Sequence, residues 1–135
     1  MINSPHSKFD NLPTLRGTHM KIIHYTEAEP KIFEGDAVSG VTGRIAIGRA
    51  DGAPNFCMRV FEISPGGHTP EHAHEWEHEI FFHSGEGAIV CDGNSTAVSE
   101  GVIAFVPGNR VHQIRNTGSR MLVFACLVPS GAPEL

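Results

Sequence analysis

The sequence predicts an all-β fold of antiparallel strands closed into a sandwich or small barrel, on three observations. Short β-like runs alternate with turn signals along most of the chain. Fifteen glycines and nine prolines are dispersed instead of being gathered in a linker. No apolar pattern of helical period persists for three turns, so there are no helical return segments to connect parallel strands.

The runs follow in order. MKIIHY (20–25) comes first, then RIAIGR (44–49) before the turn ADGAPN, and FCMRVFEI (56–63) before SPGG. EIFFHS (79–84), EGAIVC (86–91) with the turn DGN, STAVS (95–99) and VIAFV (102–106) before PGN come next. VHQIRN (111–116) with the turn TGS and MLVFACLV (121–128) before PSG complete about nine or ten strands. Residues 1–17 are polar, with Pro5 and Pro13, and are expected to form a flexible arm or a strand lent to a partner subunit. Residues 18–130 form the barrel and 131–135 a tail. Most runs are apolar on both faces, as IFF and LVFACLV show, which predicts strands covered on both sides. A subunit interface supplies the second cover where the chain does not, so a homodimer is expected.

A chain of 135 residues with 40% apolar content suits one domain. The formal charge of -5, from 10 basic and 15 acidic residues, argues against a protein that lives on phosphate backbones. Nucleic acid is not an expected partner. Cys57, Cys91 and Cys126 are odd in number with no CxxC pair, so they form neither a disulfide framework nor a thiolate zinc site, which fits a reducing compartment. MINSPHSKFD lacks an apolar stretch after a basic one, and no run of 18 apolar residues follows. The expectation is a soluble cytoplasmic protein with no membrane partner.

Chemistry concentrates in the histidines. The chain has nine, and five fall between His68 and His83. In a strand, His72 and His74 project to one side about 7 Å apart along the backbone, close enough to share one metal ion. His78 follows four residues later, and His112 lies far downstream in another run. An HxH pair also arises as plain alternation in an exposed edge strand, so the surrounding glycine, proline and asparagine positions decide.

Those positions match a two-part pattern. GGHTPEHAHEWEHEIFFHSGEG (66–87) resembles the first cupin motif, with Gly66, His72, His74 and Gly85 in register. GVIAFVPGNRVHQIRN (101–116) resembles the second, with Gly101, Pro107, His112 and Asn116 in register. The 15 residues from Glu86 to Glu100 make a minimal connection between them. Asn109 stands where the second motif has glycine, and asparagine is the side chain best able to adopt positive φ. His78 stands where the first motif has a metal-binding glutamate. Glu79 is one residue away, but His78 keeps the six-residue gap to Gly85 and shares parity with Ile80 and Phe82, whereas Glu79 points to the other face. With WEHEI beside HAH, and APNFCMRVF upstream, the chain resembles small bacterial monocupins of the manganese type, whose site is all histidine.

The resemblance implies an RmlC-like jelly-roll barrel that binds one divalent transition metal per chain through His72, His74, His78 and His112. Manganese or iron is expected in function, with zinc, nickel or copper able to replace them on isolation, because imidazole serves all five. Four neutral ligands leave two positions of an octahedral ion open and the 2+ charge uncompensated, which favours an anionic substrate or intermediate. Arg59, inside the apolar run FCMRVFEI, needs a partner, either a substrate anion or Glu62. Cys126, on the face of Phe124, is either core packing or a thiol behind a ligand. Arg59 and Cys126 are the catalytic candidates. Trp76 and Phe82 are expected to pack, and His6, His19, His24, His68 and His83 to be solvated, with His68 near the pocket mouth. The function implied is a dioxygenase-type oxidoreductase acting on a small organic molecule. Its rivals are a non-catalytic sensor or storage barrel and a metal-dependent isomerase or lyase.

Overall fold

The structure, a computed structural model, describes residues 19–135. The expected arm at 1–17 and His6 lie outside the described residues. Nine strands follow in chain order: β1 (Lys31–Phe33), β2 (Ser39–Ile47), β3 (Phe56–His68), β4 (His78–Ser84), β5 (Glu86–Cys91), β6 (Asn94–Ser99), β7 (Ile103–Val106), β8 (His112–Asn116) and β9 (Leu122–Pro129). Single 3-10 turns at Tyr25–Glu27 and Arg49–Asp51 are the helical elements among the described residues. No described helix is long and apolar enough to cross a membrane.

Every ladder is antiparallel. The sheet runs β6-β5-β8-β3-β9-β4-β7, with β2 on the other side of β3 and β1 on β2. The thirteen residues of β3 hold the barrel together by changing neighbours. Phe56 to Ile63 pairs with β9, and β2 lies along its other edge; past the bend at SPGG, His68 pairs with Arg115 of β8. Gly85, between β4 and β5, has φ +90, and a Cβ there would lie 2.4 Å from the Met121 carbonyl oxygen, so only glycine allows this crossing.

At the amino-terminal side one expectation fails and one strand forms that the sequence pattern does not announce. MKIIHY is not a strand: Met20 and Ile22 are 74% and 78% exposed, and the segment joins none of the described ladders. His24 instead caps the Tyr25–Glu27 turn, accepting from Thr26 N at 3.3 Å while Glu27 accepts from His24 N at 3.0 Å. The short strand β1, set among acidic residues, carries no alternation that would reveal it and forms by pairing with β2.

The core is built from inward positions of β2 to β9, most densely those of β3, β4 and β9. Ile63, Phe82 and Leu122 are fully buried, and Phe124 stacks between Phe61 and Phe82 at ring distances of 5.5 and 5.3 Å. Each fully buried phenylalanine contributes roughly 1.5–3 kcal/mol relative to exposure. β4 alternates as expected: His78, Ile80 and Phe82 point in, while Glu79, Phe81 and His83 point out. The outward side of the IFF run is left uncovered within one chain, where a subunit interface is expected to supply the second cover. β7 ends the sheet path, and Phe81, Ile103 and Phe105 stand 49%, 76% and 61% exposed there.

The asparagine of the second motif is a tie. Asn116 is buried, and its side-chain amide donates to Ile63 O at 2.7 Å and Arg120 O at 2.8 Å while its carbonyl accepts from Gly118 N at 2.9 Å. One side chain thus fastens the TGS turn to β3. Asn116→Ala leaves the buried Ile63 carbonyl without this donor, and a loss of about 2–4 kcal/mol in denaturant unfolding is expected.

Candidate metal centre and cavity

The loop between β3 and β4 lies across β8 and carries the first two histidines. Thr69 N donates to Ile114 O at 2.9 Å, and Thr69 Oγ1 accepts from Ile114 N at 2.8 Å. His72 and His112 exchange backbone hydrogen bonds of 3.1 and 2.9 Å. His72 and His74 therefore do not project from a regular strand, as the spacing alone suggests; His72 makes one isolated bridge and the chain then curls. The PGN turn presses on that curl. Asn109, at φ +65, donates from its backbone N to His74 O at 2.6 Å, and a Cβ on Gly108 would lie 2.3 Å from Glu75 O. The two motifs are thus locked against each other by backbone contact.

Four imidazoles meet inside. The ring nitrogens of His72, His74 and His112 lie within 4.8 Å of one another, an arrangement able to hold a metal ion. His78 borders the triad, its Nε2 2.9 Å from His74 Nε2 and its ring 5.2 Å from that of His112. Partners that can only accept fix two tautomers: His74 Nδ1–H donates to Trp76 O at 2.9 Å and His112 Nδ1–H to Arg110 O at 2.8 Å. Both Nε2 atoms are then acceptors, and that of His74 accepts from His78 Nε2 at 2.9 Å, a bond that a metal ion would replace.

Desolvation of the ring pushes His74, and His72 despite the exposure of that residue, below their usual value of 6.5, and burial together with the nearby Arg59 guanidinium pushes His78 down to about 3. These three imidazoles are neutral at neutral pH, the state a ligand needs. The donor set fits a divalent cation: metal–nitrogen bonds of about 2.1 Å separate adjacent octahedral ligands by about 3 Å, close to the His74–His78 spacing. Glu79 faces outward and is exposed, away from this centre.

The centre forms one wall of a cavity of about 250 Å³. Phe33, Val38, Val41, Phe61, Ile80 and Phe124 supply much of the rest, and among the described residues no Asp or Glu side chain lines it. Trp76, expected only to pack, lies flat on His74 at 4.3 Å between ring centroids with 6° between the planes. As a lone aromatic in an acidic stretch it was open to a site role. Phe82 packs in the core as expected. Pro133 and Leu135 also line the cavity, so 131–135 is more than a loose tail. Glu134 anchors that segment by accepting from Arg49 N at 2.8 Å. His24 and His83 are exposed, and His68 contacts Thr69 O and Gln113 without reaching the cavity.

Arg59 and Cys126 sit opposite each other in the β3–β9 register and both reach the cavity. Arg59 Nη2 lies 3.0 Å from Cys126 Sγ and 3.3 Å from His78 Nδ1, and Nη1 donates to Glu134 O at 3.4 Å. Cys126 Sγ is 3.2 Å from His78 Nδ1. Glu62 is not the partner of Arg59. Strand parity sends it to the other face, where it accepts from Arg44 at 2.7 Å and Tyr25 OH at 3.0 Å. Burial raises the Cys126 thiol against the opposing pull of Arg59, and raises Cys57 to about 11, so Cys57 is an inert core thiol.

Comparison with known proteins agrees with this geometry. The family model described as "Cupin domain" matches residues 59–128. A curated relative, the 1-methylthio-D-xylulose 5-phosphate methylsulfurylase of Rhodospirillum rubrum, is 31% identical over 71 residues, 53% of this chain and 46% of that protein. The aligned part thus spans about half the length of that relative. Among solved structures, the polyketide cyclase RemF from Streptomyces resistomycificus is 32% identical, with 85% of this chain and 82% of that one covered at a TM-score of 0.78. A predicted oxalate decarboxylase from Thermotoga maritima shares the fold at 24% identity and TM-score 0.71, covering 81% of this chain and 98% of that one. With the motif histidines assembled in an antiparallel jelly-roll barrel and half of the chain matched by the family model, this chain belongs to the cupin family.

Proposed function

We propose that this cupin is a metal-dependent, dioxygenase-type oxidoreductase acting on a small, largely apolar molecule that carries an acidic enol or related oxygen. His72, His74, His78 and His112 hold the metal, manganese or iron in function. The observation that carries the reading is the cavity wall: four imidazoles, one guanidinium and one thiol, with no Asp or Glu side chain among the described lining residues. A divalent cation bound there supplies Lewis-acid polarisation of a substrate oxygen and open positions for a second ligand. The chain does the rest. Trp76 and Phe124 flank the substrate, the aliphatic wall excludes water, and Arg59 steadies negative charge on the substrate oxygen. An acidic enol reaches its anion without a strong protein base, which suits a cavity free of carboxylates, and both atoms of dioxygen then enter the substrate.

The likeness to RemF favours a second reading, redox-neutral cyclisation or isomerisation through the same enolate. Oxygen uptake by iron- or manganese-loaded protein across a panel of enols and diketones separates the two. Uptake with isotopically labelled dioxygen yielding a doubly labelled product supports the dioxygenase; turnover without uptake supports the cyclase. Saturable binding of the panel with no turnover of any member supports a non-catalytic sensor.

The exposed apolar side of β4 and β7 is proposed as a homodimer interface. Phe81, Ile103 and Phe105, with Met58, Ala125 and Leu127, border one concave surface at a sheet edge. Light scattering is expected to give a dimer mass at micromolar concentration, and Ile103→Glu with Phe105→Glu a monomer. A wild-type monomer refutes the interface.

A further inference from the structure

Among the described residues, Arg59 is a buried charge without a counter-charge. It is 8% exposed, and among the described residues the ion pairs are Lys21–Asp51, Arg44–Glu62, Arg49–Glu134 and Arg110–Asp92, none of which includes it. Its acceptors are a backbone carbonyl, a thiol and an imidazole, and its Nε has no partner. A guanidinium does not shed its proton to escape burial. A buried cation left without an anion is costly, and the cavity beside it offers no Asp or Glu side chain among the described residues.

The shortage deepens when the metal centre forms. In the present arrangement His78 Nδ1 faces Arg59 Nη2 at 3.3 Å. A histidine giving its Nε2 lone pair to a cation carries its proton on Nδ1, and that N–H has Cys126 Sγ as acceptor at 3.2 Å. Nη2 then loses the imidazole as acceptor. Nε and Nη2, the two donors on one edge of the guanidinium, are left for a ligand.

We propose that Arg59 is the anion-recognition group of the cavity, and that the ligand is a small apolar molecule whose carboxylate or enolate oxygens accept from Nε and Nη2. The inference rests on the proposed metal centre for the second donor, while the unpartnered Nε stands without it. Apolar walls select the body of the molecule and Arg59 its charged end.

The test titrates zinc-loaded and metal-free protein with benzoate and with benzyl alcohol, its neutral counterpart of similar shape, by calorimetry. Wild type is expected to bind benzoate at least about 10-fold more tightly than the alcohol in both forms, with a wider margin when zinc is bound. Arg59→Met removes the preference in the metal-free form. Arg59→Lys, which keeps the charge without the planar fork, retains part of it and remains informative if Arg59→Met does not fold. Fluorescence of Trp76, the single tryptophan, reports the state of the cavity in each variant. Equal affinities in metal-free wild type, or an undiminished preference in either variant, overturn the inference. If no metal binds but metal-free wild type still prefers benzoate through Arg59, the metal centre fails and the role of Arg59 stands.

Discussion

Replacing His72, His74, His78 or His112 singly by alanine is expected to lower metal affinity by more than about 100-fold, while Glu79→Ala leaves it nearly unchanged. Changes to groups that merely orient a ligand cost 10- to 100-fold, and removing a donor outright costs more. The four variants are not equivalent in the folded protein. His72 is exposed and its removal disturbs little packing, whereas His78 and His112 are buried, so their loss also opens space against the core. Metal analysis after dialysis, beside a near-ultraviolet check of packing, separates the two effects. Metal retained in His78→Ala and lost in Glu79→Ala establishes the standard carboxylate set of the family instead.

Metal affinity is expected to hold from neutral pH to below 6.5 and then to fall gradually as pH drops further. The sign follows from the depressed values. His72 and His74 titrate below 6.5 and His78 near 3, so protons begin to compete for the donors only on the acidic side, and His78 resists longest. The sequence alone places the loss between pH 6 and 5, with four equal imidazoles titrating together. The buried environment shifts and spreads it towards lower pH. The metal-free fold follows the same sign: the unfolded chain takes up protons at 6.5 before the folded histidines do, so stability from this source is complete above 6.5 and declines as pH falls towards 3. A chelator-buffered titration at several pH values measures the first effect. Affinity that stays flat from pH 7.5 to 4 excludes imidazole as the dominant donor.

The sequence revealed most where residue type and spacing carry a strict physical demand. Positive φ at position 109 requires glycine or asparagine, and Asn109 adopts it. Strand parity placed His78 inward and Glu79 outward, and it holds along the whole of β4. Cys126 and Phe124 were correctly placed on one face, and both line the cavity. What stayed hidden depends on contacts between distant segments. β1 carries no pattern of its own and exists through its register with β2. MKIIHY has strand composition but joins none of the described ladders, so propensity yields to tertiary context. The pairing of Arg59 with Glu62 looked reasonable along the chain, yet three residues in a strand reverse the side. The return of Pro133 and Leu135 to the cavity has no local signal, because Glu134 finds Arg49 only once the barrel has closed.

The central claim is a metal centre of four histidine Nε2 donors without a carboxylate, and cadmium NMR tests it most directly. Nitrogen-labelled protein loaded with an NMR-active cadmium isotope displays one metal–nitrogen coupling for each coordinated imidazole. The account predicts couplings to Nε2 of His72, His74, His78 and His112, with the proton of each ring on Nδ1. Couplings to three histidines only, with His78 silent and its proton on Nε2, would contradict it.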